Sequence, residues 1–124
     1  MLVCSFVGES KNTNWKDYEC LITVKFLSLS SNSFSGQIPS SFGNLTKLQI
    51  LNLEINSFSG QIPASLGNLT QLKILDLSGN NLDGVIPSCL FAVPSLKKLF
   101  LASSQFRGPL TIQNISSSQL EILD

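Results

Sequence analysis

The 124-residue chain is as long as one small domain, and its eight basic and eight acidic residues give a formal net charge of zero. With 43 % apolar and 13 % charged residues it is too hydrophobic for a disordered segment, and it lacks the basic excess that nucleic acid or an anionic membrane surface would attract. Because the sequence has no histidine, it excludes Ser–His and Cys–His nucleophile pairs and histidine-ligated metal sites. We therefore expect no cofactor and no nucleic-acid partner.

The N-terminal segment, residues 1–23, does not share the pattern of the rest of the chain. It has no basic stretch at its start, and its apolar run is shorter than that of a signal peptide, so the sequence predicts no secretion signal. The longest apolar run of the chain, residues 89–93, is far below the ~20 residues of a membrane helix. We expect no transmembrane segment in this chain. It is then either a fragment that has lost its leader or the product of a gene that never had one.

From residue 24 onward the sequence repeats itself every 24 residues, and such a period indicates a solenoid. The shared pattern is L-x-x-L-x-L-x-x-N-x-L-x-G-x-I-P-x-x-L-G-x-L. Four repeats fill residues 24–119, and residues 120–124 open a truncated fifth. The four repeats are 24–47, 48–71, 72–95 and 96–119.

The leucines of each repeat predict a short strand with one buried face. Leu51 and Leu53 alternate, so both point to the same side of the strand. One coil cannot shield its own apolar side chains, but neighbours stacked ~4.8 Å apart bury them. The columns that should stack are Leu27, Leu51, Leu75, Leu99 and Leu123, and beside them Phe34, Phe58, Leu82 and Phe106.

An asparagine column follows the predicted strand, at Asn32, Asn56 and Asn80. The backbone turns away from the strand here and leaves N–H and C=O groups without strand partners. A buried amide can satisfy both kinds of group, because it carries two donors and an acceptor. The fourth repeat has Ser104 at this position, and its shorter side chain predicts a looser turn.

The second half of each repeat carries the most specific signal. The segments S-G-Q-I-P at 35–39 and 59–63 and D-G-V-I-P at 83–87 resemble the plant-type leucine-rich repeat. This family fills the extracellular parts of plant receptor-like kinases, receptor-like proteins and polygalacturonase inhibitors. The wording of the repeats, with N-L-T after glycine and I-P-S-C-L-F in the third, is most similar to disease-resistance receptor-like proteins.

The resemblance implies an α/β-type leucine-rich-repeat solenoid that is mainly β. The family fold is a right-handed coil with a parallel sheet on its concave face, short 3₁₀ or irregular convex segments, and a second set of short strands from the G-x-I-P region. The implied function is recognition of a protein or peptide ligand, with a co-receptor as a further partner, in immunity or development. The implied location is extracellular or at the plasma-membrane surface.

The resemblance also suggests an interpretation of the N-terminal segment as a degenerate cap. Trp15 and Cys20 have the W-x4-C spacing of such caps, but the paired cysteines that usually precede the tryptophan are absent, so an unrelated leader is an equal alternative. Cys4 and Cys20 can form a cap disulfide in an oxidising compartment, although the sequence does not give the connectivity. Cys89 stands where the two preceding repeats have serine, which predicts a partly exposed, inert thiol.

Three sequons for N-glycosylation occur, at Asn44, Asn68 and Asn114. The side chains of Asn44 and Asn68 should point outward, since each lies between a glycine and a leucine that face the core. The alternative is that Gly-Asn-Leu-Thr is simply repeat consensus. Glycosylation of at least one sequon is expected if the protein is secreted.

The outward residues of the predicted concave strands form the candidate binding surface. They place an apolar column beside a polar one, an arrangement typical of a recognition surface. The apolar column is Phe26, Ile50, Ile74 and Ile122, and the polar column is Ser28, Asn52 and Asp76. The structural alternative is that the apolar column is half-covered by its neighbours. The candidate residues are Phe26, Ser28, Ser30, Ile50, Asn52, Glu54, Ile74, Asp76, Ser78, Lys98, Phe100 and Ala102.

Catalysis is not expected on this surface. Glu54 and Asp76 come from adjacent coils, but a glycosidase needs one carboxyl with a raised pKa, and an open solvated sheet offers nothing to raise it. We predict a non-catalytic module that binds a protein or peptide. The alternatives are an inhibitor of a secreted cell-wall glycosidase and a structural fragment without its own ligand. We also expect self-association through the uncapped C-terminal repeat, whose strand edge can pair with another chain.

Overall fold

The computed structural model of the chain describes residues 3–5, 23–107 and 121–123. Trp15, Cys20 and Asn114 lie outside these residues, so the cap motif, the Cys4–Cys20 disulfide and the third sequon stay predictions. The strands in chain order are β1 (Val3–Ser5), β2 (Phe26–Ser28), β3 (Ser35–Gln37), β4 (Ile50–Asn52), β5 (Ser57–Gly60), β6 (Ile74–Asp76), β7 (Asn81–Val85), β8 (Lys98–Phe100), β9 (Gln105–Arg107) and β10 (Glu121–Leu123). Three 3₁₀ helices span Ser40–Asn44, Ala64–Asn68 and Ser88–Ala92.

The concave face is a six-stranded parallel sheet in the order β1-β2-β4-β6-β8-β10. Its register follows the 24-residue period, because Leu51 of β4 lies opposite Leu27 of β2 and Leu75 of β6. The segment before the repeats takes part through β1, whose Cys4 lies opposite Leu27. The residues after the fourth repeat take part through β10, which pairs with β8.

The second strand of each repeat forms a four-stranded parallel sheet in the order β3-β5-β7-β9. These are the additional strands that the G-x-I-P resemblance implies. Their register differs from the repeat period: Ser35 lies opposite Ser57, and Asp83 lies opposite Gln105, an offset of 22 residues. Each strand of this sheet is therefore shifted by two residues relative to the concave sheet.

The core lies between the two sheets and the 3₁₀ helices. Leu27, Leu51, Leu75 and Leu99 of the predicted leucine column are fully buried, and Phe34 and Phe58 stack in parallel with their ring centroids 6.2 Å apart. Each 3₁₀ helix begins immediately after a proline of the I-P motif, at Pro39, Pro63 or Pro87. A proline suits this bend because it has no N–H group to leave unbonded. The chain is thus a mainly-β leucine-rich-repeat solenoid.

Candidate functional site: the concave face and its rim

The outward residues of the concave strands alternate with buried leucines, as their spacing predicts. They are half-buried rather than fully exposed, because each is flanked by the same position of neighbouring coils, and Lys98 is the exposed exception. Ile122, at the equivalent position in β10, packs partly against the core. At this position of the apolar column the side chain therefore also contributes to packing.

In the polar column, side-chain oxygens accept hydrogen bonds from the backbone N–H two residues later, just after the strand ends. The Oδ1 atom of Asn52 accepts a hydrogen bond from the Glu54 N–H at 3.0 Å. In the next repeat, Asp76 Oδ1 does the same for the Ser78 N–H at 3.1 Å and also accepts the Ser78 hydroxyl at 2.6 Å. Asp76 thus has a structural role that asparagine performs one repeat earlier, and its negative charge is additional to that role.

Glu54 follows Asn52 by two residues and is therefore the next outward residue of its repeat. We call the outward residues of the concave strands, together with Glu54 and its equivalents, the concave strip. Its backbone C=O accepts hydrogen bonds from the Ser31 N–H at 3.0 Å and from Asn56 Nδ2 at 3.1 Å. Within the described residues, no donor or cation contacts its side-chain carboxylate. Glu54 is half-buried as a residue, and its carboxylate is available to an incoming group.

The asparagine column bonds the turn behind the strip to the preceding repeat. Asn80 Nδ2 donates to the C=O groups of Leu77, Ser78 and, across the repeat boundary, Leu53, while its Oδ1 accepts from the Phe58 N–H at 3.1 Å. Asn56 makes the equivalent bonds one repeat earlier. Asn80 is buried, whereas Asn32 and Asn56 are half-buried, so the column is less enclosed at its N-terminal end than the sequence suggests.

A second column, which sequence reasoning missed, forms the rim between the concave strands and the second sheet. Ser31, Ile55, Gly79 and Ser103 are spaced by 24 residues and all have a positive φ, between 56° and 69°. The signal for it is faint, because only Gly79 is a residue that favours this conformation. Ile55 is the exception of the column: a β-branched side chain in the left-handed region costs about 1–3 kcal/mol.

The flank of the solenoid carries a polar groove of about 600 Å³ between the first two repeats. It is lined by the G-x-I-P segments, including Gln37, Ser40 and Gln61, together with Asp83 of the third repeat. The stems of Gln37 and Gln61 lie close to the glycine of the following repeat. The groove is open and adjoins the 3₁₀ helices rather than the concave strip.

The other sequence-predicted features lie away from the concave strip. Asn44 and Asn68 are the last residues of their 3₁₀ helices and are exposed, although glycosylation of either remains a prediction. Cys89 is half-buried, and its thiol donates to the Ala64 C=O at 3.1 Å. In the described ranges, no three His, Cys, Asp or Glu residues cluster as metal ligands, and no helix reaches the length and apolarity of a membrane span.

The repeat segments match a known family and known structures. The family model "Leucine rich repeat" matches residues 22–82 and 56–106. The ectodomain of the receptor kinase GASSHO1/SCHENGEN3 from Arabidopsis thaliana, in complex with CASPARIAN STRIP INTEGRITY FACTOR 2, is 39 % identical, with a TM-score of 0.73. That match covers 80 % of this chain and 12 % of the ectodomain. No curated protein sequence matched the chain.

Two further Arabidopsis receptor kinase ectodomains have similar structures. SOBIR1 is 35 % identical over 85 % of this chain and 57 % of its own, with a TM-score of 0.74. HAESA, solved with the peptide hormone IDA and the co-receptor SERK1, is 34 % identical over 96 % of this chain and 20 % of its own, with a TM-score of 0.78. The chain thus spans between 12 % and 57 % of the length of these ectodomains. It belongs to the leucine-rich repeat family, and its repeats are of the plant receptor type.

Proposed function

We propose that the chain is a non-catalytic recognition module that binds a peptide or protein segment on its concave face. The observation that carries the proposal is the strip of half-buried outward side chains that crosses the described repeats. In this strip the Glu54 carboxylate has no partner among the described residues. The turn after Asp76 requires only an oxygen acceptor, which the uncharged Asn52 supplies in the preceding repeat, so the negative charge of Asp76 has no structural role there. A continuous, partly apolar strip edged by carboxylates offers both burial and charge pairing to a ligand.

The similar structures support the same class of function. HAESA was solved with a peptide hormone and a co-receptor, and GASSHO1/SCHENGEN3 with an integrity factor. On this analogy we propose that the protein acts at the plant cell surface, in immune or developmental signalling beside a co-receptor. The closer analogy to disease-resistance receptor-like proteins rests on the amino-acid sequence of the repeats, with N-L-T after glycine and I-P-S-C-L-F in the third.

A peptide-display experiment tests the proposal. Random linear peptides of about 12 residues are long enough to cross the repeats, at about 4.8 Å per strand and about 3.3 Å per peptide residue. The wild-type chain should enrich specific peptides. Asp76→Asn keeps the acceptor for the Ser78 N–H and removes only the charge, so it should retain the fold while weakening these peptides about fivefold.

Asp83→Asn is the matched control, because Asp83 is an exposed carboxylate on the second sheet and undergoes the same change of charge. Its variant should bind the selected peptides like the wild type. Equal weakening by both variants would show that net charge rather than the concave face matters. The absence of any enriched peptide would contradict the proposed function.

A further inference from the structure

Ile55 combines a strained backbone with an apolar side chain that the fold leaves exposed. Its side chain is 57 % exposed, although it is apolar, and its backbone φ of 56° is one that β-branched residues avoid. The same rim position holds serine in repeats one and four and glycine in repeat three, none of which is β-branched, so the backbone conformation costs them less.

The turn does not need the isoleucine side chain. Its N–H donates to the Ser78 C=O at 3.0 Å, and its C=O accepts from the Asn32 N–H at 3.2 Å, so neighbouring repeats fix the backbone from both sides. Gly79 lies beside Ile55. A Cβ atom added to Gly79 would lie 3.2–3.4 Å from atoms of Ile55, and the glycine leaves this space empty. The absence of a side chain at Gly79 keeps one flank of Ile55 uncovered.

The neighbouring charge identifies the chemistry of a partner. Glu54 precedes Ile55, is half-buried, and has no cation among the described residues. Its neighbours at the same strand position are Ser30 and Ser78, which carry no charge to neutralise it. An extended segment that packs against Ile55 also passes the adjacent Glu54, and a carboxylate that a ligand desolvates requires a cationic partner.

We propose that Ile55 and Glu54 together anchor an extended peptide segment that packs a large apolar side chain against Ile55 and pairs a Lys or Arg side chain with Glu54. This inference rests on the proposed function and specifies the ligand of the same face. Backbone strain that the fold does not need is typical of ligand sites, where function is kept at a cost in stability.

The test uses the displayed random peptides and the variant Ile55→Asn, since asparagine tolerates a positive φ and is not hydrophobic. The urea midpoint of Ile55→Asn should equal or exceed that of the wild type, while the selected peptides bind at least about tenfold more weakly. Ser31→Asn is the matched control: it lies at the same rim position one repeat earlier and should retain affinity. The peptides selected on the wild type should carry a basic residue near a large apolar one, and selection on Glu54→Gln should lose the basic residue.

Two results would overturn the inference. One is a set of peptides that Asp76→Asn weakens and Ile55→Asn does not; the concave function then stands and the anchor is wrong. The other is a marked fall of the urea midpoint in Ile55→Asn, which would show that the isoleucine is structural. If no peptide is enriched on the wild-type chain, the proposed function fails, and the anchor fails with it.

Discussion

The side chain of Asn80 makes four hydrogen bonds with the surrounding backbone. It donates to three C=O groups and accepts from the Phe58 N–H, and it is only 4 % exposed. Ser104, at the same position of the next repeat, donates to the Asn80 C=O at 3.4 Å, its one side-chain bond within the part of the chain that the structure describes. The turn of repeat four is therefore less tightly bonded through its side chain than the turn of repeat three.

Asn80→Ala should consequently destabilise the protein more than Ser104→Ala. It removes the partner of the Phe58 N–H and of the Leu77 C=O, at about 1–3 kcal/mol for each unsatisfied group, whereas the Leu53 and Ser78 C=O groups keep their bonds from Asn56 Nδ2 and the Ile55 N–H. Asn56→Ala should fall between them, since Asn56 makes the same bonds but is half-buried. Urea unfolding of the three variants measures the order, and equal midpoints would show that the amides are replaced by water without loss.

At the scale of the element, the second sheet depends on its glycines for two separate reasons. Gly36 and Gly84 have nearly the same positive φ, +80° and +78°. A Cβ added at Gly36 would meet nothing within 4 Å, whereas one added at Gly84 would lie 2.6 Å from Cγ of Gln61. The first glycine satisfies a backbone requirement alone, and the second also provides space for the glutamine stem of the preceding repeat.

The pair gives a matched prediction. Gly36→Ala should cost about 1 kcal/mol or slightly more, the penalty of a left-handed conformation for an L residue. Gly84→Ala should cost clearly more, because the stem of Gln61 must also move. Thermal unfolding of both variants and of the double variant Gln61→Ala/Gly84→Ala tests the cause: removing the glutamine stem should return the cost to that of Gly36→Ala. An unchanged cost in the double variant would assign the whole effect to the backbone.

The offset of the second sheet also has an identifiable cause. Asn56 and Asn80 each accept from a phenylalanine N–H 22 residues earlier, Phe34 and Phe58, so the amides set the start of the shifted pairing. The sequence cannot show this shift, since moving a strand by two residues keeps the same side chains on the same face. A period of 24 in the pattern is compatible with either register.

At the scale of the whole molecule, the sequence predicts what repeats and misses what differs between repeats. The leucine columns, the asparagine column and the G-x-I-P strands recur, and the structure contains all of them. The left-handed rim is not predictable from the sequence, because glycine, the residue that favours a positive φ, stands at this position only in repeat three, at Gly79. The half-burial of the concave residues was also uncertain, since it depends on how closely adjacent coils approach.

The stacking of near-identical coils has a consequence for cooperativity. Leu75 is fully buried in β6, and it lies opposite Leu51 of β4 on one side and Leu99 of β8 on the other. In a solenoid each repeat contacts only its neighbours, so stability is a chain of interfaces. A cavity at Leu75 weakens two of these interfaces at once.

Leu75→Ala should therefore lower the free energy of unfolding by about 2–5 kcal/mol and divide the cooperative unit. The expected result is a broader unfolding transition at a lower urea concentration, with a smaller m value, because the parts on either side of the cavity unfold separately. Leu75→Met, which nearly conserves the volume, should cost less than about 1.5 kcal/mol and keep the wild-type m value. A sharp transition at lower urea with an unchanged m value in Leu75→Ala would mean that the coils unfold as one unit despite the cavity, and that coupling between repeats exceeds the loss at any single interface.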